Sequence, residues 1–183
     1  MVDTAGMCEI CDGKTYQEIF EGMRDRIHAH GWTLQGVTPG VHGSGWVYTI
    51  GLMEAFGHPE LVVTGGDIQS NGGLLNEISE RISRGLRVDA DAELDLDGYV
   101  VEFEPVHASY LSHGLCAVWD DYYRRSGAQP GPLRVLQVVL PLLAWCDHCD
   151  RERRCLGVPG ARGFGGGLNR AARRARARRE RHG

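Results

Sequence analysis

The chain has 183 residues, enough for one domain with its own hydrophobic core and a tail. No stretch approaches the roughly 18 consecutive apolar residues of a membrane span, and the opening MVDTAGMCEICDGK lacks the basic-then-apolar pattern of a secretory leader. The expectation is therefore a cytoplasmic protein with no membrane partner. The formal net charge of −4 conceals an asymmetry: residues 1–150 carry 9 basic and 22 acidic side chains, residues 151–183 carry 11 and 2. Its basic residues are 19 Arg to 1 Lys, a usage that suggests a bacterium with a GC-rich genome.

Along the chain, the spacing of Tyr16, Ile19, Phe20, Met23 and Ile27 predicts a helix. Thr15 and Glu18 offer a capping box at its start, and Gly31 a stop. Three short strands follow, in WTLQGV, WVYTIGL and ELVVTG, separated by turns rich in Gly, Pro and His. NGGLLNEISERISRGL reads as a second helix ending at Gly85, and YVVEFEPV as a strand. The preceding acids alternate with Val88, Ala90, Ala92, Leu94 and Leu96, the pattern of a strand with one wet face. LCAVWDDYYRRSG predicts a third helix, and RVLQVVLPLLAW an apolar strand that runs directly into Cys146. Strands and helices alternate without a regular β-α-β repeat. The fold class expected is α+β, with a mixed or mostly antiparallel sheet packed by about three helices. The domain is expected over 1–157, followed over 158–183 by a Gly-linked, flexible, Arg-rich tail.

The segment WVYTIGLMEAFGHPELVVTG, with a preceding GW, a following LLNEISERISRG and a Cys-x-x-Cys near the start, resembles a bacterial family known as domain of unknown function 4262. The resemblance covers most of residues 7–141. It implies the α+β fold and brings no activity with it.

Two Cys-x-x-Cys pairs, Cys8/Cys11 and Cys146/Cys149, offer four thiolates, the number a tetrahedral zinc ion takes. A shared zinc site would clamp the two ends of the domain together. An iron–sulfur cluster uses the same ligands, and His148 and Cys155 stand as substitutes. A redox role for Cys146 and Cys149 is the competing reading, because DRERR after them would start a helix whose N-terminus lowers a thiol pKa. Cys116, on the apolar face of a predicted helix, reads as a core residue.

His58 and Glu60, in the turn GHPE, set an imidazole beside a carboxylate, with Tyr48, His107 and His113 as the side chains most able to join them. In a pocket such a set would do general acid–base work; otherwise His58 fastens a turn by hydrogen bonding. ELDLDGYVVEFE imitates a calcium loop, but its flanks read as strands where that motif needs helices. In the tail, Arg170, Arg173, Arg174, Arg176, Arg178, Arg179 and Arg181 would follow a nucleic-acid backbone, or dock on the acidic body. No aromatics are interleaved for base stacking.

The function expected first is a non-catalytic binding or interaction module holding zinc. The alternatives are a small enzyme with a pocket of Tyr48, His58, Glu60 and His107, or a thiol redox protein.

Overall fold

The computed structural model describes residues 13–38 and 45–140. Cys8, Cys11, Cys146, Cys149 and the arginines of the tail lie outside the described residues.

Helix α1, Tyr16–His30, starts where Thr15 accepts from the Glu18 amide while the Glu18 side chain accepts from the Thr15 N–H. It stops at Gly31, whose φ of 92° is left-handed and whose N–H reaches Ile27 O. A side chain at Gly31 would run into the Phe56 ring, so glycine also lets α1 approach the next helical turn closely. Strands β1 (Thr33–Val37), β2 (Trp46–Ile50) and β3 (Glu60–Thr64) form an antiparallel meander, with the single-turn helix α2 (Leu52–Phe56) between β2 and β3. Helix α3 spans Ile68–Ser83. It begins earlier than the apolar pattern suggests, because Asp67 caps it by accepting from the Ser70 N–H.

Strands β4 (Glu93–Leu96) and β5 (Tyr99–Pro105) form a hairpin, followed by the short helix α4 (Ala108–Ser112), α5 (Ala117–Ser126) and β6 (Val135–Val139). The six strands lie in the order β1-β2-β3-β6-β5-β4. β6 pairs parallel with β3 and antiparallel with β5, and the other pairs are antiparallel, so the sheet is mixed. Every residue of β6 is buried, which is why VLQVV carries no polar alternation.

The expected strand from Val88 onward is shorter than its alternation suggests. Asp91 adopts φ 67° and donates to Phe103 O, while the Ala92 N–H bonds back to Asp89 O. A turn thus replaces strand up to Ala92. Asp97 and Gly98, both at positive φ, close the two-residue hairpin. Strand–turn–strand leaves no flanking helices for the calcium imitation.

Side-chain alternation divides the core between the two faces of the sheet. Leu61 and Val63 face a cluster with Leu74, Leu75, Ile78 and Ile82 of α3. Val62, Tyr48 and Ile50 face the other, with Met23 and Ile27 of α1 and Trp119, Tyr122 and Tyr123 of α5. The expected helices are α1, α3 and α5; α2 and α4, one turn each, are below the length at which apolar periodicity shows.

Candidate functional site

Among the sequence-marked residues, Glu60 has the densest polar surroundings. It is the first residue of β3, where the chain turns in from α2, and it is completely buried. Its Oε2 accepts from Thr49 Oγ1 at 2.6 Å and from the Leu52 N–H at 3.3 Å. Oε1 accepts from the N–H groups of Gly51 (3.0 Å) and Met53 (3.3 Å) and from Trp119 Nε1 at 3.3 Å. Three of these donors are the amides at the start of α2, so the carboxylate caps that helix from the first residue of the strand that follows it. Gly51 has φ 118°, and a Cβ there would lie 2.7 Å from Gly31 O. Glycine alone brings its N–H to the carboxylate without displacing the end of α1. Burial pushes the Glu60 carboxyl up to about 7, with the donors, Thr49 first, pulling the other way.

Tyr48 lies on the same face. Its hydroxyl accepts from the Val118 N–H at 3.2 Å, at the start of α5, and burial raises its pKa far above the ordinary value. Cys116 is in the same cluster, a buried thiol pushed up to about 12, chiefly by desolvation. It is the core residue its position suggested.

His58 belongs to the other side. With 2 % of its surface exposed, its Nδ1 bonds to Pro59 O at 2.7 Å and its Nε2 accepts from the Val88 N–H at 3.3 Å. These partners select the neutral ring with the proton on Nδ1, and desolvation, the largest influence, lowers its pKa. His58 thus holds a turn, and its two ring nitrogens are both engaged by backbone. His107 is half-buried and caps α4, its Nδ1 facing the Ser109 N–H at 3.2 Å and Ser109 Oγ at 2.8 Å. His113 closes the same turn against Ser109 O. The two histidines therefore bracket a helical turn and are not neighbours along an extended segment.

Tyr48, His58, Glu60 and His107, the set offered for the alternative enzyme pocket, are thus placed in different surroundings. Tyr48 and Glu60 share a buried aromatic layer, His58 is engaged with the Val88 segment, and His107 serves α4. Tyr48, His58 and Glu60 are at most 2 % exposed, so they do not share an open cleft. Sequence reading paired His58 with Glu60 because they are two residues apart. It missed Thr49, Trp119 and the α2 amides, since the last are backbone groups and Trp119 is 59 positions away from Glu60. The one signal was Gly51 at the end of a strand directly before an apolar turn.

Among the described residues, no group of three His, Cys, Asp or Glu side chains is placed to hold a metal ion. None of the described helices is long and apolar enough to cross a membrane. No curated protein and no solved structure matches the chain. A family model does, over residues 26–144, which include α1 from Arg26 onward and every strand of the sheet. The chain belongs to the family described as Domain of unknown function (DUF4262).

Proposed function

We propose that the protein is a non-catalytic binding module whose fold is closed by zinc on Cys8, Cys11, Cys146 and Cys149. The observation that carries the first half is the enclosure of His58 and Glu60, the pair best suited to acid–base chemistry. Both are buried, and their polar atoms are engaged in holding a turn and capping α2. A general acid or base must reach a substrate proton within hydrogen-bond distance, which this placement does not favour. The second half rests on ligand type and spacing, two Cys-x-x-Cys pairs flanking the described domain. Bound zinc would supply a structural cross-link there, with no open position for a substrate.

Elemental analysis of the purified full chain tests the metal. One zinc per chain, lost together with thermal stability in Cys146→Ser, is the expected result. Iron with visible absorption would assign a cluster instead. Unchanged stability with loss of a disulfide-reductase activity would make the pairs redox thiols. The arginines at 170–181 give the module a second surface, suited to phosphate backbones. Binding of RNA or DNA should fall steeply with salt and disappear when the chain ends at Val158.

A further inference from the structure

On the outer side of the layer that buries Glu60, α1 and α5 leave a groove of about 410 Å³ lined by Gln17, Phe20, Glu21, Arg24, Tyr122 and Arg125. Its size lies in the range of small-molecule sites, roughly 300–1,000 Å³. Its floor is aromatic: the Phe20 and Tyr122 rings are 6.4 Å apart and inclined by only 22°. Its rim is cationic. Among the described residues, Arg24 and Arg125 have no hydrogen-bonded or ion-paired partner, whereas Arg81, Arg84 and Arg124 pair with carboxylates on or near their own helices. The Arg125 guanidinium lies 5.1 Å from the Phe20 ring centre, so the cation rests on the floor it borders. Glu21, the acidic lining residue, is turned toward Gln17, whose Nε2 donates to it at 2.9 Å. Two guanidiniums without an ion-pair partner beside one carboxylate, Glu21, leave this lining net positive on a domain rich in acids.

Resting on the binding-module reading, we propose that this groove binds a small aromatic carboxylate, its ring against Phe20 and Tyr122 and its carboxylate held by Arg24 and Arg125. A planar guanidinium matches a carboxylate with two parallel hydrogen bonds, and a flat ring matches the aromatic floor. Selectivity comes from needing both parts.

The probes are 2-naphthoate, its neutral amide 2-naphthamide, and phenyl phosphate, titrated calorimetrically into the full chain. The expected result is saturable binding of 2-naphthoate, weakened about tenfold by Arg24→Gln or Arg125→Gln and by replacing the carboxylate with the amide. Both side chains are exposed, so these variants keep the fold. Arg24→Lys, which keeps charge but not the fork, should recover only part of the affinity. Tighter binding of phenyl phosphate than of 2-naphthoate would overturn the carboxylate assignment, and equal binding of acid and amide would overturn the role of the arginines. No saturation at about 10 mM 2-naphthoate would remove the site. Binding that both Gln variants leave unchanged would place it elsewhere and leave the binding-module reading intact. Turnover of the probe would instead overturn that reading.

Discussion

On the α3 side of the sheet the core is mostly aliphatic, with Leu61, Val63, Leu74, Leu75, Ile78 and Ile82 in contact. On the α1/α5 side it is aromatic and polar, with Tyr48, Trp119, Tyr122 and Tyr123 around a buried carboxylate. The first side is held mainly by shape, with a few directed bonds such as Trp32 Nε1 to Asn76 Oδ1 and the Val88 N–H to His58 Nε2. The second depends on directed bonds, because Glu60 orders β2, α2, β3 and α5 at once through Thr49, Gly51, Leu52, Met53 and Trp119. Polar networks of that kind give a core a single arrangement but make each member expensive to remove.

The largest effect should therefore come from Glu60→Ala. It strands the α2 amides, the Thr49 hydroxyl and the Trp119 N–H in a closed space, for a loss of about 4 kcal/mol or more. Denaturant unfolding measures it, and a loss below about 1 kcal/mol would show that water replaces the carboxylate. On the aliphatic side, Leu75→Ala should cost about 3 kcal/mol through lost burial and the cavity left behind. Leu75 is fully enclosed, so little collapse is available to reduce that figure. If Leu75→Ala proves costlier than Glu60→Ala, the division between the faces is mistaken.

The same contrast explains what was legible in the sequence. The aliphatic face repeats every three or four residues in α3 and every two in β3, so helix and strand announce themselves before any contact is known. The capping box of Thr15 and Glu18 and the stop at Gly31 are equally local, and the structure has all three. Glu60 stood out as a carboxylate between strands, but its role did not, because its partners come from three other elements. α2 was invisible for a related reason: five residues whose first amides are capped by a side chain beyond their C-terminal end leave no cap signature at their start. The turn at Asp91 was hidden by alternation that continues through it, although its backbone does not. The groove joins residues about a hundred positions apart, beyond the reach of any spacing rule.

A smaller effect, one of pH, also divides the faces. The Glu60 pKa in the folded protein, about 7, lies above its ordinary 4.5, so between these values the folded state holds more protons than the unfolded. Its contribution to stability is complete below about 4.5 and is lost as pH rises through about 7. His58 acts in the opposite sense, since its pKa is lowered from 6.5: its contribution is present above 6.5 and is lost on acidification. The two slopes oppose one another in the whole protein, and variants separate them. Below about pH 5 Glu60→Gln should be the less stable, by about 1–3 kcal/mol, because its NH2 group meets donors. The stability difference, wild type minus Glu60→Gln, should shrink from about pH 5 to about pH 7 and level off above. A difference that grows with pH would mean that the five donors outweigh desolvation and keep the group ionised.

The smallest expected effect, from Tyr48→Phe, separates the directed bonds of the aromatic face from its packing. Its ring is fully enclosed, and its hydroxyl accepts from the Val118 N–H. That amide belongs to the first turn of α5, whose N-cap residue Cys116 makes no side-chain cap bond. The tyrosine oxygen thus takes the place of a cap, as Glu60 does for α2. Tyr48→Phe keeps the ring and the packing and removes only the acceptor, for a loss of about 1 kcal/mol. Because burial holds the Tyr48 hydroxyl protonated far above neutrality, this loss should be the same from about pH 5 to about pH 8, unlike that of Glu60→Gln. Amide exchange at Val118 and Trp119 should quicken while that of Leu74 to Ile82 on the opposite face changes only by the global loss. Equal quickening of both sets beyond the global change would show that the faces unfold together, and the directed bonds would then stabilise the whole sheet and not one side of it.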